Sequence, residues 1–155
     1  MKKGLIILAL LIPCLMMAQM SFGVRAGMAK VKGLDDMVLT FGGMFGYNVM
    51  PKVTVGAEVD YWSKSGFSDI APALVAKYML VEAPVKVSLG AGLGMHMFSN
   101  GTSESKFAAH GILEAGYPIN PNLSVIAQFK YAYIFETGSP YVIYGTLGVV
   151  YSLAK

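Results

Sequence analysis

The chain has 155 residues, of which 55% are hydrophobic and only 14% charged, with 18 glycines and a mean hydropathy of +0.55. That composition is too apolar for an ordinary soluble surface and too rich in glycine for a bundle of membrane helices. No internal stretch reaches the roughly 18–20 consecutive apolar residues that a membrane helix needs, and the length suits a single domain.

The one continuous apolar run is at the N-terminus. Lys2 and Lys3 precede an apolar stretch from Gly4 to Met17, and Ala18 offers a cleavage position. Residues 1–18 therefore read as a secretory signal peptide, cut between Ala18 and Gln19, with residues 19–155 as the mature domain. The Leu11-Ile12-Pro13-Cys14 segment departs from a lipoprotein signal, because proline stands where a small residue is required. Without residues 1–18 the chain keeps ten basic against nine acidic side chains and no cysteine. A balance this even gives no reason to expect a nucleic-acid partner, and without a cysteine a disulfide, a thiol nucleophile and a cysteine-based metal site are excluded.

From there the sequence divides into eight alternating segments. The first, about 21–31, sets Phe22, Val24, Ala26 and Met28 against Gly23, Arg25, Gly27 and Ala29. In the second, about 39–49, Leu39, Phe41, Phe45, Tyr47 and Val49 alternate with Thr40, Gly42, Met44, Gly46 and Asn48. The third, about 53–62, opposes Val53, Val55, Ala57, Val59 and Tyr61 to Thr54, Gly56, Glu58, Asp60 and Trp62. The fourth, about 70–80, sets Ile70, Leu74, Ala76, Tyr78 and Leu80 against Ala73, Val75 and Lys77. The fifth sets Val85, Val87, Leu89, Ala91, Leu93 and Met95 against Lys86, Ser88, Gly90, Gly92, Gly94 and His96.

The sixth, about 107–117, is the least regular, with Ile112 on the polar side beside His110 and Glu114. The seventh opposes Leu123, Val125, Ala127, Phe129, Tyr131, Tyr133 and Phe135 to Ser124, Gln128 and Lys130. The last opposes Ile143, Leu147, Val149, Tyr151 and Leu153 to Tyr144, Thr146, Gly148 and Ser152. A period of two over ten or so residues predicts β-strands.

Reading alternate segments in opposite directions sorts the aromatic residues into two rings. Phe22, Tyr47, Tyr78, Tyr117 and Tyr151 fall at one end, and Phe41, Tyr61, Phe107, Tyr133, Phe135 and Tyr141 at the other. Aromatic girdles flanking an apolar band predict a transmembrane β-barrel. Three connections are tight and contain proline: Met50-Pro51-Lys52, Val81 to Pro84, and Pro118 to Asn122. The other four, Lys32 to Met37, Ser63 to Asp69, Ser99 to Lys106 and Glu136 to Pro140, read as longer polar loops. That asymmetry matches periplasmic turns and extracellular loops.

Alternation alone also fits a soluble barrel with its apolar face inward. The second face decides: it is mostly Gly, Ala, Ser and Thr, a poor solvent surface but a suitable lining for eight strands, which enclose only enough space for side chains. The predicted interior polar network is Arg25, Glu58, Asp60, Lys77, Lys86, His110, Glu114, Gln128 and Lys130. Its charges nearly cancel, as charges removed from water must. Arg25 with Glu58, and Glu114 with Lys86 or Lys130, are the expected pairs. A neutralised network in so narrow a lumen predicts a plug rather than an open channel.

These features together resemble the small outer-membrane β-barrel family that includes OmpX-type proteins and the membrane domain of OmpA-type proteins. The segment from Ile70 to Tyr78, IAPALVAKY, followed by VSLGAGLG over Val87 to Gly94, is similar to the fourth and fifth strands of porin-like members. The resemblance implies an eight-stranded antiparallel up-and-down barrel in the outer membrane of a Gram-negative-type bacterium. It also implies contact with outer-membrane lipid or lipopolysaccharide and with the barrel-assembly machinery during insertion. Family members end on an outward aromatic, whereas here Tyr151 and Leu153 are followed by Ala154-Lys155.

His96-Met97-Phe98-Ser99-Asn100-Gly101 is similar to the His-x-Ser-Asn motif of lipid A deacylase barrels, but one extra residue separates His96 from Ser99. In a strand the two then point to opposite faces. Lone His110 reads as an interior hydrogen-bonding group, Trp62 as an interfacial residue at the loop-side rim, and Asp35-Asp36 as too poor in oxygen ligands for calcium. The sequence thus predicts a monomeric, non-enzymatic barrel without cofactor or metal, structural in role. Adhesion through the loops is the alternative, followed by a narrow pore and a lipid A hydrolase.

Overall fold

A computed structural model describes residues 20–34, 36–99, 103–138 and 140–153. The expected signal peptide and Cys14 lie outside the described residues, as do Asp35, Asn100, Gly101 and Ala154-Lys155. Eight strands follow in chain order: β1 Met20–Val31, β2 Val38–Met50, β3 Val53–Lys64, β4 Phe67–Val81, β5 Lys86–Ser99, β6 Ser103–Pro118, β7 Leu123–Ile134 and β8 Tyr141–Ser152. Each pairs antiparallel with its neighbours in sequence, and β1 pairs with β8, so the sheet closes into a barrel. All eight predicted strands are present and the fold is all-β.

Closure has a physical reason in the alternation. An open sheet exposes two edges of unpaired N–H and C=O groups, and a closed one has none. Closing on eight strands leaves a lumen only wide enough for side chains. Glycines therefore occupy inward positions where neighbouring strands approach closely. A Cβ at Gly148 would fall on the Val24 carbonyl oxygen and 2.7 Å from the Arg25 Cβ, at the β1–β8 seam. Outward-facing Gly145 on the same strand has open space instead.

The outer wall is apolar. Leu74 is 72% exposed, Leu93 69%, Phe107 70% and Leu147 66%. The inner face holds the buried residues, among them Arg25, Glu58, Asp60, Asp69, His96, Gln128 and Lys130. All eleven aromatic residues assigned to the two rings lie on outward-facing strand positions or, for Phe135, just past the end of β7.

Two connections are shorter than expected. β3 and β4 are joined by Ser65-Gly66, with φ of 51° and 81°, a two-residue turn whose positive φ angles favour glycine. β5 runs on to Ser99 and β6 begins at Ser103, so most of the predicted loop from Ser99 to Lys106 is strand. The predicted Ser63 to Asp69 loop is likewise a hairpin end, because residues 63–64 pair with 67–68. Connections at this end are therefore not uniformly longer than those at the other.

The seam at Gly148 yields a direct prediction. Gly148→Val should prevent closure or cost about 1–3 kcal/mol, as overpacking typically does, whereas Gly145→Val should fold normally. Comparing boiled and unboiled gel migration, with urea midpoints, checks both.

Candidate functional site in the lumen

Strand parity sends one charged group after another into the barrel. Glu58 and Asp60 come from β3, Arg25 from β1, Lys77 from β4, Glu114 from β6, and Gln128 and Lys130 from β7. The Arg25 guanidinium reaches Glu58 at 2.9 Å and Asp60 at 2.6 Å. Lys130 pairs with Glu58 and lies 2.7 Å from Asp60. Lys77 bridges Glu58 at 2.8 Å and Glu114 at 2.7 Å. Gln128 donates to Glu58 at 3.1 Å and to Glu114 at 3.0 Å.

Three cations thus face three carboxylates, and Glu58 touches all three cations. Buried ions are tolerated only when paired and hydrogen-bonded on this scale. The expected pair Arg25–Glu58 is present. Glu114, expected beside Lys86 or Lys130, pairs instead with Lys77. Lys86 is exposed at the short-turn end of β5, because the β5–β6 register sets Ser88 opposite Glu114 and leaves Lys86 two residues beyond it.

Towards the loop end the filling changes character. Trp62, expected at the membrane boundary, is 1% exposed inside the barrel, where its indole donates to Asp69 at 3.0 Å. The same Asp69 oxygen lies 2.6 Å from His96 Nδ1. Five rings stack in sequence, with centroids 5.5 Å apart for Trp62–Phe67, 5.7 Å for Phe67–Phe98, 5.7 Å for His96–Phe98 and 5.8 Å for His96–His110. Tyr144, 1% exposed, lies beneath, with the Lys130 ammonium 6.0 Å from its ring centre.

His110, predicted in the network, is buried above it against His96. Sequence reasoning missed Asp69, which it left in a loop. The signal available was Ser65-Gly66, since a two-residue turn there puts Asp69 on the inward parity of Ala71 and Ala73. For Trp62 the parity with Glu58 and Asp60 was also on view.

At the short-turn end a polar hollow of about 140 Å³ reaches Glu58 and Lys77. Above it, the network and the ring stack occupy the section. His96 is 0% exposed within the lumen, while Ser99 is exposed on the outer wall. No nucleophile–base contact forms between them. Asp36 accepts a hydrogen bond from Lys64 at 2.8 Å, which holds its carboxyl below the ordinary value. Among the described residues, no group of three or more His, Cys, Asp or Glu is arranged to hold a metal ion.

No protein-family model and no curated protein sequence matches the chain. Solved structures do. Neisserial surface protein A superposes with a TM-score of 0.70 at 15% identity, covering 86% of this chain and 96% of that one. Its fold is that of the small eight-stranded outer-membrane β-barrels. Ail, the attachment invasion locus protein of Yersinia pestis, solved in complex with the heparin analogue sucrose octasulfate, is similar with a TM-score of 0.56 at 20% identity, over 88% of this chain and 97% of that one. The outer membrane enzyme PagL is similar with a TM-score of 0.52 at 17% identity, over 84% of this chain and 98% of that one. One fold therefore accommodates both attachment proteins and an enzyme, and function must be argued from side chains.

Those side chains predict that Glu58→Gln destabilises the barrel by about 3–5 kcal/mol, the range for breaking a buried ion pair. The double variant Glu58→Gln/Lys130→Met, which restores charge balance and leaves Arg25 paired with Asp60 and Lys77 with Glu114, should recover at least half of that loss. Urea unfolding of the two proteins in the same detergent checks it.

Proposed function

We propose that this chain is a non-enzymatic resident of the outer membrane, structural in role, with a plugged lumen. The observation that carries the reading is the inversion of the barrel. Leu74, Leu93, Phe107 and Leu147 cover the outside, and ions and imidazoles fill the inside. A water-soluble barrel would place these faces the other way round, whereas a lipid-facing wall requires this arrangement.

The absence of catalysis is part of the proposal. It is supported by the wall that separates His96 from Ser99, and by the sealing of His96 behind Phe98 and Trp62. The plug is supported by charge-neutral packing from Glu58 up to the ring stack, with no described passage for a hydrated ion. Lipid around the wall and the barrel-assembly machinery during insertion are the partners proposed, with one chain per barrel.

A second reading is surface contact at the loop end. It is favoured by β4, β5 and β6, which at 15, 14 and 16 residues exceed the 9–11 that a tilted membrane strand requires. Their ends would project beyond the hydrocarbon core and carry Glu104 and Lys106.

Expressed with its leader, the chain should sediment with outer membranes and migrate faster unboiled than boiled. Reconstituted in planar bilayers it should give no steady openings. Incubated with lipid A it should release no fatty acid by mass spectrometry. Recovery from the soluble periplasm would overturn the placement, steady conductance the plug, and His96-dependent deacylation the non-enzymatic reading.

A further inference from the structure

The loop-side aromatic ring is incomplete. Phe41, Tyr61, Phe107, Tyr133, Phe135 and Tyr141 come from β2, β3, β6, β7, the residue after β7, and β8, whereas β1, β4 and β5 contribute no outward aromatic there, β4 and β5 forming the wider gap because they are adjacent. Ile70 and Met97 stand in the gap, directly paired. Immediately beyond them a row of serines crosses four strands at one level. Ser63 pairs with Ser68, Ser68 with Ser99, and Ser99 with Ser103. Their parity is that of outward Tyr61, Ile70, Met97 and Phe107. The charged residues of these strand ends, Lys64, Asp69, Glu104 and Lys106, have the opposite parity. They are engaged elsewhere: Lys64 with Asp36, Asp69 with His96, and Lys106 with Glu104 and Glu136.

Below the gap the outer wall carries two shallow apolar grooves. A groove of about 880 Å³ runs down from Phe107 and Phe135, and a second of about 980 Å³ continues it to Tyr47. The two share Phe45, Ala57, Leu74 and Leu93, so they form one trough across β2–β6. Its depth comes from small outward residues, Gly43, Ala57, Ala76, Ala91 and Ala109, between larger neighbours. Ser68 is four residues beyond Pro72, roughly 13 Å along the strand from the upper trough. An apolar trough and a polar row thus follow one another in the order of a lipid's chains and headgroup.

We propose that this face holds one glycolipid, its acyl chains in the β2–β6 trough and its uncharged sugar hydroxyls on the Ser63–Ser68–Ser99–Ser103 row. The inference rests on the membrane placement proposed above. Charge decides between headgroups. Phosphate is recognised by Arg and Lys, as charge-assisted bonds, and no described cation faces outward at this level on β3–β6. Serine hydroxyls both donate and accept, as sugar hydroxyls do, and four in register offer a repeated match. The opposite wall provides a contrast: a groove of about 580 Å³ over β1 and β6–β8, lined by Leu113, Ala127 and Leu147, lies below ring aromatics on three of its four strands, β6, β7 and β8.

The folded barrel in detergent, titrated with digalactosyl diacylglycerol or with phosphatidylglycerol of identical chains, tests this by native mass spectrometry. The wild type should retain the galactolipid roughly tenfold more strongly, the scale of a few net hydrogen bonds. Ser63→Ala/Ser68→Ala/Ser99→Ala/Ser103→Ala should abolish the preference while leaving phosphatidylglycerol retention unchanged. Ala57→Leu/Ala91→Leu should weaken both lipids, and Ala127→Leu neither. Equal retention by the wild type, preference for phosphatidylglycerol, or a preference that survives the serine replacements would overturn the glycolipid site. Because each variant is first checked for the folded gel band, such a result would leave the membrane placement standing, and only loss of that placement would contradict the earlier reading.

Discussion

The carboxylate of Glu58 is the constraint on which the lumen depends. It lies 1% exposed among Arg25, Lys77 and Lys130, and each of these cations also touches a second acid. Remove it from water alone and it would cost several kcal/mol. Surrounded by three cations it becomes the knot that ties β1, β3, β4 and β7 across the barrel. The network is neutral only as a whole, so the strands must close in one register for any of it to be satisfied. Sheet closure and charge neutrality are then one requirement met twice, once by backbone bonds and once by side chains.

The same requirement explains the small residues. Long cationic side chains fit inside eight strands only if their inward neighbours are Gly, Ala, Ser or Thr, as Gly42 is beside Asp60 and Arg25, and Gly148 beside Arg25. Bulk is displaced outward to Leu, Val and Phe. Where the outward residues are also small, on β2–β6, the wall is hollow, and over β4 and β5 the aromatic ring gives way to hydroxyls. Inside, the ring stack from Trp62 to His110 replaces charge with packing towards the loop end. The lumen is thus graded from a polar hollow through an ion network to an aromatic seal.

Much of this was legible before the structure. A period of two is unambiguous over ten residues, so the strands, their facing and most members of the interior network could be read directly. What could not be read is which residues meet across the lumen. Lys77 rather than Lys86 reaches Glu114 because β5 sets Ser88 opposite Glu114 and leaves Lys86 two residues nearer the short-turn rim, and parity carries no information on that register. Trp62 was misplaced by residue type: an aromatic near a strand end suggests an interface, yet its parity with Asp60 pointed inward. Asp69 was lost with the hairpin end, since a polar run around Ser65-Gly66 reads equally as a loop or as two paired strand ends. The enzyme-like His96 spacing was read correctly in geometry, with His96 and Ser99 on opposite faces, while the Asp69 partner of His96 went unseen.

The central claim is that lipid meets the side of the wall bearing Leu74, Leu93 and Leu147 and that the side bearing Thr146 and Gln128 is sealed from it. The most direct measurement places single cysteines at Leu93, Leu147 and Thr146 in residues 19–155, which contain no cysteine, labels each with a small fluorophore and reconstitutes the barrels in vesicles. Nitroxide-bearing lipid chains should quench the labels at Leu93 and Leu147 strongly, and aqueous iodide should not, while the Thr146 site should resist labelling in the folded protein. Iodide quenching at Leu93 and Leu147 without quenching by lipid would contradict the account.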